Sequence, residues 1–278
     1  MTRHPFRIVN VFAESPLAGN PLCVFEDGRG LDDATMQALA LQFNLSETSF
    51  VLPAQDATAH VRIFTPTFEM PFAGHPTLGT AHVVRDLRAA GDAVTLRMKA
   101  GVIPVTARGD VWTLAANAPK HRAPAALPAD IAAMLGLAPT DLASAPLWVD
   151  TGAEQLVIPL ATFAAVRRAA PSADALQLHG SNGQRAMAYV FAREGDDVLA
   201  RFFFPKHGSV IEDPGTGSAC ANLGGFLLAT GATLPQRLAV SQGEAVGRPC
   251  RLGLEVTADR QIRVSGRVIE IARGTVAL

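Results

Sequence analysis

Two stretches of this chain repeat one another. Arg62-Ile63-Phe64-Thr65-Pro66 is echoed by Arg201-Phe202-Phe203-Phe204-Pro205, and each leads within about a dozen residues into glycines that open a run of helical spacing. The same strand, loop and helix order twice in one chain favours a duplicated architecture, with two pseudo-symmetric domains turning their helix N-termini toward a shared cleft. A length of 278 residues suits that reading, since it exceeds the common single-domain size. Proline and alanine gather from Pro119 to Pro128 around Lys120, His121 and Arg122, which marks a linker. The expected domains are therefore 1–120 and 121–278, in an α+β fold whose last strand is free to return to the first domain.

The two helix starts carry the chemistry. In the second, Glu212-Asp213 is followed by Gly215 and Gly217, then by small and apolar residues that read as a helix over 218–228. The first N–H groups of a helix lack internal partners and sit at the positive end of its dipole, so a carboxylate or phosphate can dock there. Asp213 and Ser218 stand where a proton-handling group and a hydroxyl donor would be useful, or else serve only as caps. In the first, Gly74 turns the chain, Pro76 suits the first helical position, and Leu78, Ala81, His82 and Arg85 continue at helical spacing. His75 at the positive end of this helix favours a neutral imidazole, or is an imperfect cap. Glu47 lies between a helix running from Asp32-Asp33 to Asn44 and an apolar strand ending near Leu52. It is either solvated and idle or a proton carrier against apolar walls.

Other classes fit poorly. Lys plus Arg number 24 against 25 Asp plus Glu, with no basic run, so nothing draws the chain to nucleic acid or anionic lipid. No stretch approaches the roughly 18 apolar residues of a membrane span and no signal segment opens the chain, so a cytoplasmic protein is expected. Cys23, Cys220 and Cys250 lack metal-type spacing, which argues against a disulfide framework and a zinc site. Cys220 reads as a packed small residue, with a nucleophile as the alternative. His60, His82, His121, His179 and His207 show no ligand pattern and read as structural. Gly215-Thr216-Gly217 starts like a dinucleotide fingerprint, but Cys220 stands where a third glycine or alanine is wanted and no phosphate loop occurs.

Elsewhere the alternation predicts strands over 6–12 and 22–25 as a hairpin, a strand at 62–66, a strand pair at 94–98 and 102–107, and a short strand at 111–114. Further strands are expected at 147–149, 155–159, 187–192, 198–204, 238–242, 250–257 and 261–268. Short helices are expected at 130–135, 162–168 and 172–178. A cleft flanked by two helix starts suits an anionic substrate with an acidic C–H bond, because backbone N–H groups stabilise a carboxylate and the charge that builds on it. That chemistry requires no cofactor.

Four motifs, taken in order, resemble the PhzF family: Asn10-Val11-Phe12 with Gly19-Asn20-Pro21, Asn44-Leu45-Ser46-Glu47-Thr48, Phe72-Ala73-Gly74-His75-Pro76-Thr77-Leu78-Gly79, and Asp213-Pro214-Gly215-Thr216-Gly217-Ser218-Ala219. The resemblance implies a fold similar to diaminopimelate epimerase, two domains each a β-barrel around a central helix, with the active site between them in a homodimer. It implies isomerisation of trans-2,3-dihydro-3-hydroxyanthranilate, or a related small carboxylate, by proton movement without metal or organic cofactor. Glu47 would be the general acid/base and His75, Asp213 and Ser218 its active-site companions. Gly74, Gly215, Thr216 and Gly217 would hold the substrate carboxylate. Related racemases use two cysteines, and laying their Cys-Gly starts over this chain puts Ala73 and Pro214 in those places, which disfavours racemisation. A non-catalytic binding protein that keeps the fold is the alternative from another class.

Overall fold

The computed structural model describes residues 2–206 and 208–278; His207, set above among the structural histidines, lies outside the described residues. The chain forms two compact units, Met1–Ala115 with Ser265–Leu278, and Ala116–Val264.

In the first unit β1 (Arg3–Val11) and β2 (Asn20–Phe25) form the hairpin expected from their alternation. The α1 helix (Asp33–Phe43) starts where Asp32 accepts the Thr35 N–H at 2.8 Å and stops where Asn44 turns left-handed at φ 51°, the two ends a local sequence specifies most directly. β3 (Glu47–Leu52) runs parallel to β2, and β4 (Ala59–Phe64) antiparallel to β3. The short β5 (Glu69–Met70) folds back on β4 and leads into α2 (Gly74–Leu87). Next come β6 (Ala93–Met98), parallel to β4, and the antiparallel β7 (Gly101–Arg108) and β8 (Val111–Ala115).

The second unit holds β9 (Lys120–Arg122), α3 (Pro128–Met134), β10 (Leu147–Asp150), β11 (Glu154–Pro159), α4 (Phe163–Arg168) and α5 (Ala173–His179). It continues through β12 (Ala188–Glu194), β13 (Asp197–Lys206), β14 (Ser209–Asp213), α6 (Gly217–Ala229), β15 (Gln236–Gln242) and β16 (Cys250–Val256). Its pairings repeat those of the first unit step for step. β10–β11 is antiparallel, β11–β12 parallel, β12–β13 and β13–β14 antiparallel, β13–β15 parallel and β15–β16 antiparallel. The echoed segments are thus equivalent strands, β4 and β13.

The last strand, β17 (Ile262–Ala277), begins in the second unit and returns to the first from Ser265. There it pairs with β1, from Val11 opposite Val268 to Arg3 opposite Ala277, and with β8. Among the described residues this closes a barrel of eight strands in the order β17, β1, β2, β3, β4, β6, β7 and β8. A closed barrel leaves no unpaired edge. α2 fills it, packing on β1, β2, β3, β4, β6, β7 and β8. Gly79 lets the helix lie against the wall, because a Cβ there would fall 2.7 Å from Leu22 and 2.9 Å from Val11. α6 is the second unit's inner helix, buried on nearly every side and packed on β9, β10, β11 and β16, as expected for a helix apolar all round.

The duplication reaches side-chain chemistry. Arg62 on β4 makes two bonds to Glu69 on β5, both at 2.8 Å, and its guanidinium lies 5.0 Å from the Phe64 ring centre. Arg201 on β13 bonds Glu212 on β14 at 2.7 Å and lies 4.6 Å from the Phe203 ring. In each unit the arginine and the aromatic two residues on share one strand face, and the carboxylate stands five residues before the first residue of the inner helix. The clamp pins the loop that launches that helix. The second clamp is the drier, with the Arg201 and Glu212 side chains 15% and 7% exposed. Glu212→Gln is therefore expected to cost about 2–3 kcal/mol in urea unfolding. Glu69→Gln should cost less, because Arg62 keeps Asp33 at 2.7 Å.

Some expectations need correction. The segment 119–128 is not a linker: Lys120–Arg122 pairs antiparallel with β10, and Arg122 bonds Glu154 at 2.7 Å. The chain crosses between units after Ala115 and after Val264 instead. Pro76 is the third residue of α2, which begins at Gly74. The strand expected over 62–66 ends at Phe64, and the one expected to reach Phe12 stops at Val11, with Phe12 left-handed at φ 61°.

Candidate active site

Neither inner helix is capped by a side chain, and this is what leaves its first turn able to serve a ligand. The N-cap of α2 is Ala73, which has no side-chain oxygen to offer; that of α6 is Thr216, whose hydroxyl is turned away to Asp213. The capping readings of His75, Asp213 and Ser218 therefore fall. The matching N-caps also move the second racemase cysteine place from Pro214 to Thr216. Neither Ala73 nor Thr216 is cysteine.

In the first unit Glu47 opens β3 directly after the turn that follows Asn44, and His75 is the second residue of α2. Glu47 Oε2 lies 3.3 Å from His75 Nδ1, with the side chains 15% and 6% exposed. The ring also meets the Pro21 carbonyl, while Nε2 has no hydrogen-bond partner among the described residues. With acceptors on the Nδ1 side, a neutral ring carries its proton there and presents a bare lone pair at Nε2.

Burial pushes the His75 imidazole down to about 3, against the pull of the Pro21 carbonyl. The folded chain thus holds the ring neutral at a pH where the unfolded chain protonates it. Stability tied to this group is complete above pH ~6.5 and declines as pH falls from there toward ~3, by up to about 1.4 kcal/mol per pH unit. His75→Gln should flatten that part of the stability–pH curve measured by urea midpoints. A variant curve parallel to the wild type across this window would refute the assignment.

In the second unit Asp213 ends β14 and Ser218 is the second residue of α6. Gln242, at the end of β15 and 1% exposed, ties this turn together. Its Oε1 accepts the Thr216 N–H at 3.2 Å, and its Nε2 donates to the Asp213 carbonyl at 2.8 Å and to Thr216 Oγ1 at 3.0 Å. Thr216 Oγ1 in turn donates to Asp213 Oδ2 at 2.5 Å. The Thr216 hydroxyl thus holds the Asp213 carboxylate, while its N–H is taken by Gln242. Ser218 Oγ accepts from Gln155 Nε2 at 3.0 Å, and Gln155 is itself held by Asn222.

The sequence reading missed Gln242, Gln155 and Asn222. The available signal was position: Leu238, Val240 and Gln242 share the buried face of one strand, and Asn222 interrupts the apolar run that follows Ser218 in α6. Cys220 is buried within α6 and burial raises its thiol pKa, as it does those of Cys23 and Cys250; these are packed thiols, not nucleophiles. His82 accepts from Trp112 Nε1 at 3.3 Å. Among the described residues no group of three or more His, Cys, Asp or Glu is placed to hold a metal, and no helix is long and apolar enough to cross a membrane.

A barrel closed around a helix, with the same strand pairings repeated in a second unit, is the diaminopimelate-epimerase-like architecture. Residues 9–274 match the model of the phenazine biosynthesis-like proteins. An uncharacterized isomerase of Pasteurella multocida is 36% identical over 99% of this chain and 94% of its own length. The trans-2,3-dihydro-3-hydroxyanthranilate isomerase of Pseudomonas aeruginosa is 34% identical over 98% of both chains. The crystal structure of the Bacillus anthracis phenazine biosynthesis protein of the PhzF family covers all of both chains at 25% identity with a TM-score of 0.89. The chain belongs to the PhzF family.

Proposed function

We propose that this PhzF-family isomerase moves a proton within a small unsaturated carboxylate, trans-2,3-dihydro-3-hydroxyanthranilate or a close relative, without metal or organic cofactor and as a homodimer. The observation that carries the reading is Glu47 Oε2 placed 3.3 Å from a buried, neutral His75. With His75 held neutral, the imidazole itself adds no positive charge beside the Glu47 carboxylate. Glu47 takes a proton from the carbon conjugated to the substrate carboxylate and returns it further along the conjugated system. His75 Nε2 accepts a hydrogen bond from an amine or hydroxyl of the substrate and orients the ring over Glu47.

Asp213 is the second proton-handling group, held by Thr216 and Gln242. The Gly217 N–H and Ser218, at the start of α6, hold the substrate carboxylate and the charge that spreads onto it as the C–H bond breaks. The test is incubation of the purified protein with trans-2,3-dihydro-3-hydroxyanthranilate in D2O, followed by NMR. Conversion with deuterium at the receiving carbon is expected. Neither conversion nor exchange would remove this compound as substrate.

A further inference from the structure

The hydroxyl of Ser218 has a direction, and residues remote from the helix start set it. At the backbone, polarity is not in question. Thr151 N–H lies 2.9 Å from one side-chain atom of Asn222, and Thr151 Oγ1 lies 2.7 Å from the same atom. A backbone N–H only donates, so that atom is the oxygen, Oδ1. The other end agrees, since Asn222 Nδ2 lies 2.8 Å from the Ala153 carbonyl, which only accepts. The second Nδ2 hydrogen then points to Gln155 at 2.8 Å, which makes the facing atom Oε1. Gln155 is left with Nε2 toward Ser218 Oγ, 3.0 Å away. Ser218 accepts that bond, so its own proton must go elsewhere, and among the described residues it has no acceptor.

We propose that Thr151, Asn222 and Gln155 are positioning residues that fix Ser218 as a hydrogen-bond donor toward an anionic oxygen of the substrate. The proposal rests on the reading of Ser218 as a substrate-binding group. Burial makes the relay stiff: Asn222, Gln155 and Thr151 are 0%, 5% and 6% exposed, and flipping either amide would set donor against donor or acceptor against acceptor where no water can relieve it. A hydroxyl held this way binds a carboxylate and discriminates against an amine in the same place. His75, the counterpart of Ser218 at the second position of its helix, presents the opposite polarity at Nε2.

The test combines neutron diffraction with kinetics on the full chain. In the wild type the Gln155 deuterons are expected on the line to Ser218 Oγ, with the Ser218 deuteron off it. In Asn222→Asp the second carboxylate oxygen replaces Nδ2, Gln155 flips to donate to it, and the Ser218 deuteron turns onto the line to Gln155. KM for trans-2,3-dihydro-3-hydroxyanthranilate should then rise about tenfold, as in Ser218→Ala, with the double variant no worse than Ser218→Ala alone. A merely structural role for Asn222 would instead multiply the two losses, and that outcome overturns the relay. So does a wild-type Ser218 deuteron lying on the Gln155 line, a measurement that needs neither a folded variant nor a substrate. Unchanged KM in Ser218→Ala would overturn the binding role of Ser218 itself, a separate failure read from a separate variant.

Discussion

Replacing Glu47 with Gln is expected to lower kcat for trans-2,3-dihydro-3-hydroxyanthranilate by roughly 10²- to 10⁴-fold, with KM little changed, and to abolish solvent-deuterium incorporation. Glutamine keeps the shape of the side chain at the start of β3 but cannot accept a proton from carbon. Glu47 is 15% exposed, so the loss of its charge should leave the fold intact, which a circular dichroism spectrum and a urea midpoint would check. Glu47→Asp, which withdraws the carboxylate by one methylene, should recover only part of the rate because the proton must be met at contact distance. Deuterium exchange surviving in a folded Glu47→Gln protein would take the proton-carrying role away from Glu47.

Gly243→Ala is expected to destabilise the chain by about 2–5 kcal/mol and to depress turnover as well, although Gly243 has no side chain to offer a substrate. Its φ is +81°, a left-handed backbone that costs a residue with a Cβ roughly 1–2 kcal/mol. The added carbon would fall 2.3 Å from the Arg248 carbonyl oxygen and 2.5 Å from that of Pro214, and overpacking of this kind costs about 1–3 kcal/mol more. Both obstacles are main chain, so no rotamer change relieves them. Pro214 follows Asp213, and Gly243 follows the glutamine that positions it, so the backbone must shift where the acid is held. The check is a urea midpoint with kcat on the same preparation; a wild-type midpoint would contradict the crowding argument.

What could be read from the sequence was mostly what is local. The ends of α1 follow from Asp32 and Asn44, each acting within a few residues of itself, and the inner helices announced themselves through their glycines. The echo at Arg62 and Arg201 was legible because it preserves an arginine with an aromatic two residues on, though its clamp partners Glu69 and Glu212 emerged only when β5 and β14 were seen to fold back. Composition misled at 119–128, because prolines and charges that suit an exposed linker suit a short edge strand equally. The second half of β17, Ile269-Glu270-Ile271-Ala272-Arg273-Gly274, lacks clean alternation, and its pairing with β1 depends on residues from the other end of the chain. At the site, Glu47, His75, Asp213 and Ser218 drew attention by type and neighbourhood. The amides behind them did not, since a lone Gln or Asn declares no partner until tertiary structure supplies one. Thr216 is alike, since nothing in its neighbourhood names Gln242, which takes its N–H while its hydroxyl goes to Asp213.

The return of β17 to the first unit has a consequence for how the protein is made. A ribosome delivers the N-terminal residues first, and domains commonly fold as they emerge. Here β1 and β8 wait for their shared neighbour until residues 265–278 have been synthesised, since β17 pairs with both. Until then the nascent barrel lacks one stave and shows two open strand edges, the state in which a sheet is most prone to join the wrong partner. β17 is therefore the closing piece of the first unit, and the order of synthesis runs against the order of assembly.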